Sequence, residues 1–472
     1  MINKFYKIIN NKFSRFFKFI FFLRYLLAVF FVAIVLFLNI PKSFDYKKKE
    51  ENIKNYLLKN YGLQIRELED IQFNSFPVPS LRLSNLSIDF HSDDTNLTTQ
   101  KLIIFPKLFS IYNYENFKVR KVKLENSNLN YIKLKNSDIS ESTFVGSSMN
   151  GVDLENSKVS EVNFENVDFS NAKLNKISGV NVSFEDSLMT RMNMMEAKLQ
   201  SSNFSGVDIS QSKLNDSILK NSDFSRVVMV GSDLTDVDLS NSDLSKGIFN
   251  ESNFKNANLS NSEIIDSEAK KTSFSGSKMN DTNFSNSNLE DSIFSNSNLT
   301  RSVFRNAVIS RTSFKGADLT LSSFEDAEGS MIDFSLAQMS KANFKNTNLK
   351  KSKYFKTNSS RSNFENSEIS ESSVSSSKFD GSKFINSNLS KIKIDSSKFL
   401  NCDFTNANLS NSILRNSDFS GAILEGAILD NSNLTGSKIN IEDLKKARLC
   451  NTTLPNGKID NSNCKQDKAK SS

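Results

Sequence analysis

Histidine, cysteine, tryptophan and proline are scarce in this sequence. The 472 residues include one His, three Cys, five Pro and no Trp. A metal site with several His ligands is therefore excluded, as is a His-Glu-x-x-His zinc helix, and the three Cys form no Cys-x-x-Cys pair. No Gly-rich phosphate-binding loop is present. We therefore predict no metal, no cofactor and no enzymatic activity.

Net positive charge is confined to the N-terminus. The formal net charge is +7, but residues 1–42 hold seven basic residues and no acidic one, and the remaining chain is neutral. Residues 121–472 carry 42 Lys and Arg against 43 Asp and Glu. A segment with a net charge of −1 does not attract phosphate groups, so we predict no nucleic-acid partner.

Few residues outside the regular patterns could carry chemistry. His91 lies in a polar segment with Asp93 and Asp94, where a metal site is one interpretation and a solvated loop is the one we favour. Cys402 falls at an inward, small-residue position and is predicted to be inert. Outward rows of Asp and Asn recur along the chain, and we interpret them as solvated surface and not as paired catalytic carboxylates.

The first long apolar run predicts a membrane anchor. Residues 19–40 contain one charge, Arg24, which can extend its side chain to the interface. The basic residues within 1–18 precede this span, so the positive-inside rule places the N-terminus in the cytoplasm and the bulk of the chain outside it. A cleavable signal peptide and a buried core helix are the alternatives.

Residues 41–123 are predicted to form a small α+β segment. Ile53, Leu57 and Tyr61 repeat at helical spacing, which predicts a helix over 47–61. Apolar residues then alternate with polar ones over 81–90, 102–104 and 122–124, which predicts strands. A generic linker domain of this class is one interpretation.

This segment, with the anchor before it, resembles the start of the AsmA family over residues 20–135. The shared pattern is an anchor, a helix followed by Gly, a P-x-L-x-L-x-N-L-x-I strand, a P-L-F turn and a V-x-L-x-N strand. It is carried here by Gly62, Pro79, Leu81, Leu83, Asn85, Leu86, Ile88, Pro106, Leu108, Phe109, Val122, Leu124 and Asn126. The resemblance implies a single-pass protein of the bacterial inner membrane with its bulk in the periplasm, acting in phospholipid transport or outer-membrane assembly. The long groove-forming region of that family is missing.

A five-residue repeat begins at Leu124. Every position numbered with a final 4 or 9 is apolar up to Ile459, except Gly179, Gly329 and Ser359, and Ala269 is merely small, so the register holds over 68 positions. A small or β-branched residue stands two positions earlier, and Asn or Asp often stands one position earlier. Neither the helical nor the strand period fits, so the repeat predicts a solenoid.

The repeat resembles the pentapeptide-repeat family, as in "SNFSG VDISQ SKLND" within residues 202–216. The resemblance implies an all-β solenoid over 124–439, a right-handed quadrilateral β-helix with four repeats per coil. The 68 positions correspond to about 17 coils and a length of roughly 80 Å. Some members of this family mimic DNA with strongly acidic surfaces, but the near-neutral repeat region here departs from that pattern.

The phenylalanines support a 20-residue coil independently of the family. Of 40 Phe, 22 occupy register positions, and 12 of these recur at multiples of 20 residues on one side, with smaller sets on the other three sides. Like rings are therefore predicted to stack along the core. The main column comprises Phe144, Phe164, Phe184, Phe204, Phe224, Phe284, Phe304, Phe324, Phe344, Phe364, Phe384 and Phe404.

The C-terminal end departs from the repeat. Asn440 can N-cap a short helix, and residues 440–460 are predicted to cap the open coil. Residues 461–472 are predicted to be a disordered tail. Cys450 and Cys464 would form a disulfide in an exported protein, and two free thiols are the alternative.

These features predict a membrane-anchored structural or interaction protein, with a periplasmic repeat rod that binds or scaffolds unidentified envelope proteins. The alternative is an AsmA-like participant in phospholipid transport or outer-membrane assembly, with lipid as a partner. An exposed apolar groove within residues 60–135 would favour the alternative, and a closed polar exterior would favour the first function.

No Pro- or Gly-rich linker separates the AsmA-like strands from the first repeats. We therefore predict that the strands continue into the solenoid and cap it. Limited proteolysis should produce no cut between residues 115 and 140, and rapid cleavage there would contradict the prediction.

Overall fold

The structure is a computed structural model that describes residues 14–45, 50–61, 63–75, 79–90, 96–106, 119–462 and 464. The chain divides into two units: residues 1–129 with 142–147, and residues 130–141 with 148–472. In the first unit, helix α1 spans Ser14–Asn39 and runs into a 3-10 turn at Ile40–Ser43, and helix α2 spans Glu50–Tyr61. Gly62 and the start predicted for the second helix lie outside the described residues.

Helix α1 is apolar on all sides after Arg24. Residues 21–43 are long and apolar enough to cross a membrane, and none of the most apolar window is buried in the protein. A helix that packed in a protein core would bury one face, so this exposure does not match the core-helix interpretation. A membrane anchor and a signal sequence both remain consistent with the helix.

Four long strands form one antiparallel sheet in the order β1-β2-β3-β4. They are β1 (Leu63–Asn74), β2 (Ser80–Phe90), β3 (Asn96–Pro106) and β4 (Val119–Asn128). Alternate residues such as Leu81, Leu83 and Ile104 are buried, as the period-two pattern predicts. Strand β4 also forms backbone hydrogen bonds with residues 142–147 of its own unit. The Leu124 amide, for example, donates to the Thr143 carbonyl at 2.8 Å.

In the second unit the outward residue in the middle of most coil sides pairs with the residue 20 positions later. Isolated parallel bridges run from Lys133↔Asp153 to Asn433↔Thr453. In places the bridges extend into three-residue strands. These are β5 (Ser178–Val180), β6 (Lys198–Gln200), β7 (Glu328–Ser330), β8 (Asn348–Lys350), β9 (Lys353–Phe355), β10 (Ser373–Ser375), β11 (Lys393–Asp395) and β12 (Ile413–Arg415). The all-β solenoid predicted from the repeat is confirmed, and the count of about 17 coils remains a prediction.

Each five-residue repeat makes one side of a coil and one corner. In the repeat around Leu214, the Leu214 amide donates to the Asp233 carbonyl at 2.8 Å, and the Lys213 amide donates to Met192 at 3.0 Å. The chain then turns, and Asp216 adopts a φ of 62°. Positions ending in 1 or 6 share this left-handed conformation through most of the solenoid, so these positions are its corners.

Inward Ser hydroxyls join neighbouring coils. The Ser212 hydroxyl donates to the Met189 carbonyl at 2.8 Å and accepts from the Met192 amide at 3.0 Å. Ser217 repeats the arrangement with Met194 and Ala197. An unpaired buried hydroxyl would cost about 1–3 kcal/mol, so this pairing explains why a polar residue is accepted inside the coil.

The phenylalanines stack in columns through the core. Neighbouring rings of the main column from Phe284 to Phe404 lie 4.5–5.0 Å apart between centroids and within 12° of parallel. A second column runs from Phe254 to Phe334 and ends on Tyr354. Rings of the two columns also meet edge to face, as Phe284 and Phe294 do at 5.6 Å and 88°.

Two glycines occupy inward register positions because a neighbouring coil comes close. A Cβ built on Gly179 would lie 2.9 Å from the Val159 carbonyl carbon and from the Ser160 amide nitrogen. A Cβ on Gly329 would lie 2.7 Å from a side-chain carbon of Ile309. The gaps in the apolar register at 179 and 329 therefore mark short strands packed tightly on the coil below.

The C-terminal end differs in part from the sequence-based expectation. Helix α3 (Ile441–Leu444) is N-capped by Asn440, whose side chain accepts from the Glu442 amide at 3.0 Å. Strands β13 (Thr452–Thr453) and β14 (Ile459–Asp460) then pair antiparallel. The apolar register extends in sequence to Ile459, but this hairpin, within the segment predicted to cap the coil, leaves Ile459 62% exposed.

Replacing a ring within the main column should destabilise the solenoid. Phe324 is fully buried, with stacked neighbours Phe304 and Phe344 at 4.5 and 4.9 Å. Phe324→Ala should lower the free energy of unfolding by about 3–5 kcal/mol in urea titrations, because it leaves a cavity between two rings. The control Ile423→Ala, at an exposed position, should change it by less than about 0.5 kcal/mol. Equal losses in the two variants would show that the column does not carry the core.

Candidate functional site

Outward Asp and Asn residues next to the register positions hold the turns. The Asp223 carboxylate accepts from the Ser225 amide at 2.8 Å, and Asp243 accepts from Ser245 at 2.8 Å. Asn163 does the same for Glu165. A side chain that satisfies a turn amide in this way explains why the residue type recurs. These rows are therefore structural parts of the coil.

Several corner carboxylates are paired with arginine one coil away. Arg301 donates twice to Asp281 at 2.6 Å, and this lowers the pKa of Asp281 to about 2, with a further contribution from Asn280. Hydrogen bonds from Arg311 lower the pKa of Asp291 in the same way. A general acid needs a raised pKa, so these carboxylates are suited to holding the surface and not to proton transfer.

Buried reactive groups are protonated and enclosed. Burial raises the pKa of Cys402 to about 12, and its thiol donates to the Phe379 carbonyl at 3.0 Å. Burial also raises the pKa of Tyr354, whose ring is stacked on Phe334. A thiol that stays protonated is a poor nucleophile, which agrees with the interpretation of Cys402 as inert.

The structure also locates most of the other residues that the sequence singled out as metal, disulfide or core candidates. In the part of the chain that the structure describes, no group of three His, Cys, Asp or Glu side chains could hold a metal. His91, Asp93 and Asp94 lie outside the described residues. Cys450 and Cys464 are joined by a disulfide, with their Cα atoms 4.6 Å apart. The twelve phenylalanines of the main column are buried.

The corner positions are a structural signal that the sequence-based interpretation missed. Asn is frequent at positions ending in 1 or 6, and it tolerates the left-handed conformation better than most residues. Its side chains also bond along the solenoid, as Asn366 Nδ2 does to Asn346 Oδ1 at 3.1 Å and Asn386 to Asn366 at 3.2 Å. The Asn and Gly content of every fifth position could have identified the corners.

Surface charge is divided along the solenoid even though the total is near zero. Residues 121–333 carry 21 basic against 30 acidic side chains, whereas residues 334–402 carry 12 against five. No acidic residue occurs between Asp333 and Glu365. Averaging over the whole repeat region conceals a segment with a net charge of +7.

Apolar corners are concentrated next to this basic segment. Among the described residues, the large apolar side chains with positive φ are Leu321, Met331 and Leu336, together with Tyr131 near the start of the solenoid. Left-handed backbone costs a residue other than Gly, Asn or Asp about 1–2 kcal/mol. Three of these four residues fall within one coil, although Asn or Gly would fit each corner better.

Comparisons with known proteins identify the repeat. The family model described as "Pentapeptide repeat region" matches residues 157–234 and 247–320, and "Pentapeptide repeats (8 copies)" matches 120–156 and 402–440. No curated protein matches the chain.

Solved pentapeptide-repeat structures are also similar. HetL from the cyanobacterium Nostoc, a protein involved in heterocyst differentiation regulation, is 21% identical over 57% of this chain and 92% of its own, with a TM-score of 0.16. QnrB1, a plasmid-mediated fluoroquinolone resistance protein, is 17% identical over 36% of this chain and 79% of its own, with a TM-score of 0.23. A thylakoid-lumen protein of Arabidopsis thaliana is 24% identical over 25% and 61%, with a TM-score of 0.14.

Acid should remove the contribution of the Asp281–Arg301 pair. The folded-state pKa of Asp281, about 2, lies below the ordinary value of about 3.9, so the pair stabilises the fold above about pH 4 and loses its effect as the pH falls towards 2. The difference in unfolding free energy between the wild type and Asp281→Asn should therefore shrink over that range in urea titrations. In an Arg301→Gln background the Asp281→Asn change should show a smaller pH dependence, because only the hydrogen bond from Asn280 then lowers the pKa of Asp281. An undiminished dependence there would mean that Arg301 is not the main cause of the low pKa.

Proposed function

The chain is a pentapeptide-repeat protein, and from that premise we propose that it is anchored in the bacterial inner membrane and presents its solenoid to other proteins in the periplasm. Its role is to bind or scaffold envelope proteins and not to catalyse a reaction. The observation that carries this proposal is the exterior of the coil. Its outward side chains are fixed on a backbone in which each coil is hydrogen-bonded to the next.

The rigid arrangement of the outward side chains favours binding, because these side chains lose little conformational freedom when a partner associates. Outward residues sit at fixed spacings, and their own hydrogen bonds, such as those of Asp223 and Asn366, hold them in place. A partner that binds such a surface does not have to immobilise a flexible loop, so less conformational entropy is lost. Repeat solenoids provide extended binding surfaces for this reason.

Export is supported by the two ends of the described chain. Helix α1 is apolar and follows a basic N-terminus, which is the pattern of a span with its start in the cytoplasm. At the other end, Cys450 and Cys464 are disulfide-bonded. Disulfides persist in oxidising compartments such as the periplasm and are rare in the cytosol. Both features favour a periplasmic location for the solenoid.

Lipid transfer receives no comparable support. The family matches begin at residue 120, after most of the AsmA-like segment. A cleft of about 340 Å³ on the four-stranded sheet is lined mainly by polar side chains, namely Glu67, Asn85, Ser87, Thr99, Asn126 and Asn128, with Leu86 as the apolar member. This lining does not match the apolar groove that acyl chains require. We therefore do not extend the proposal to lipid transport.

Neighbouring proteins can be tested by in-cell photocrosslinking. A photoreactive amino acid placed at outward positions on each of the four sides of the solenoid should capture envelope proteins from at least one side. Failure on every side, in cells that accumulate the folded protein, would contradict the binding role.

Topology can be tested by reporter fusions and thiol counts. Alkaline phosphatase fused after residue 45 should be active, because it requires export, whereas a fusion after residue 18 lacks the span and should be inactive. Unreduced, unfolded protein should show one reactive thiol, that of Cys402, and three after reduction. A Cys464→Ser variant should show two before reduction. An inactive fusion after residue 45, or three thiols without reduction, would place the solenoid in the cytoplasm.

A further inference from the structure

We propose that one side of the solenoid, the basic–apolar face, binds an acidic protein segment that carries apolar side chains. The face is formed by Met331, Leu336, Lys351, Lys353, Phe355 and Lys356. This inference rests on the proposed binding function and specifies which surface is used and which partner chemistry it recognises.

The six residues belong to two successive coils on the same side. Met331 and Leu336 are the two corners of that side in the lower coil, and the residues 20 positions later, Lys351 and Lys356, are the corners in the upper coil. The Met331 amide donates to the carbonyl of Lys350 at 2.8 Å, and the Leu336 amide donates to that of Phe355 at 2.7 Å. The backbone therefore holds the two rows of side chains in register.

The apolar members are exposed at positions where folding does not require them. Met331 is 52% exposed, Leu336 43% and Phe355 38%. Met331 and Leu336 have φ values of 58° and 64°, a conformation that favours Asn or Gly at corners. Residues that are both strained and exposed gain nothing from the solenoid itself. Such positions are candidates for functional surfaces. Met331 and Leu336 differ from the equally exposed corner Leu321 because the next coil carries three lysines and Phe355 on their side.

The basic members are available for an external anion. Within the described residues, Lys353 and Lys356 make no ion pair, and the Lys351 amine lies 3.8 Å from Glu371 with both side chains about half exposed. The Lys356 amine lies 5.2 Å from the centre of the Phe355 ring, which keeps the charge beside an apolar surface. Three cations thus border three apolar side chains on one side of the solenoid. The acidic residue between Met331 and Leu336 is Asp333, whose carboxylate is half-buried and accepts from the Ser335 amide at 2.9 Å.

The upper row of this face lies on a strand, whereas the lower row is joined to it by the isolated bridge between Asp333 and Lys353. Strand β9, which contains Lys353 and Phe355, is the end member of the parallel sheet β9-β10-β11-β12. Elsewhere in the described solenoid, coils are joined by isolated bridges or by two-stranded sheets. The face is therefore presented at the edge of the most extended sheet that the coils form.

The combination of side chains selects the partner class. A bare polyanion would pair with the lysines and leave Met331 and Leu336 in water. Single-stranded nucleic acid would use Phe355 for stacking and would gain little from two aliphatic corners. An acidic protein segment with apolar side chains complements both rows at once, and Met and Phe are among the residues enriched at protein interfaces.

The test separates binding from stability by replacing the strained corners with Asn. Met331→Asn with Leu336→Asn should raise the unfolding temperature, because Asn is favoured at a left-handed corner. The same double variant should weaken binding of a labelled peptide of alternating Glu and Leu by about tenfold or more in fluorescence anisotropy on the full-length protein. Lys353→Glu with Lys356→Glu should weaken it at least as much, and wild-type affinity should fall with added salt.

Leu321→Asn is the matched control, because it makes the same change at a corner outside this face. It should raise the unfolding temperature without changing the affinity for the peptide. Equal loss of affinity in this control would contradict a role for the basic–apolar face. A double Asn variant that lowers stability and leaves affinity unchanged would assign Met331 and Leu336 to the fold and overturn the proposal.

Competing ligands decide the class of partner. A Glu and Ser peptide without apolar residues should bind more weakly than the Glu and Leu peptide, and so should an oligothymidylate. Tighter binding of the oligonucleotide would indicate a nucleic-acid surface instead. Self-association in sedimentation that is lost in the double Asn variant would indicate a second copy of this chain, and it would also overturn the proposal.

The proposal and the broader binding function fail in different ways. If photocrosslinks form in cells from another side and none form from Ser373 or Ser375, beside this face, the chain binds partners elsewhere and the face is wrong. If no side yields a crosslink, the binding function itself is contradicted. Crosslinks from Ser375 to an acidic segment with apolar residues, lost in the double Asn variant, would support both.

Discussion

The hydrogen bond from one coil to the next is the interaction on which the solenoid depends. It joins neighbouring coils whose paired residues lie 20 positions apart, such as Lys213 and Asp233, and the Leu214 amide donates to the Asp233 carbonyl at 2.8 Å. Because an edge strand with unpaired amides is unstable in water, each coil needs its neighbours to satisfy its backbone. The left-handed corners and the inward Ser hydroxyls follow from the same requirement. Both allow a tightly turned chain to keep its polar groups paired.

A fixed 20-residue spacing converts sequence periodicity into columns of like side chains. Inside, the columns are phenylalanine rings about 5 Å apart, which gain dispersion energy from stacking. Outside, the same spacing places Arg301 on Asp281 and Asn366 on Asn346. Stability and surface chemistry therefore share one geometric cause, and a substitution at one position acts mainly on the residues 20 positions before and after it.

Because inward residues stabilise the fold, some outward residues of this solenoid are free to serve a binding function. Register positions and inward Ser residues carry the packing, and most outward residues also have structural partners. Met331 and Leu336 depart from this arrangement, because they are exposed at corners that suit Asn, as Leu321 is, and they lie beside the exposed Phe355 of the next coil. Local departures from an otherwise consistent pattern are where function is expected, because the fold alone does not favour them.

The sequence by itself determined the repeat, the coil length and the main phenylalanine column, because a strict five-residue register needs no tertiary information. It also indicated the apolar helix and the strands of the first unit from their periods. It could not show that Ile459 leaves the core, since the antiparallel hairpin overrides the register there. Corners, edge-to-face contacts such as Phe284 with Phe294, and the joining of Met331, Leu336 and Phe355 on one side were decided only by the tertiary structure. They depend on how successive coils are placed on one another, and residues far apart in the chain become neighbours only when the coils stack.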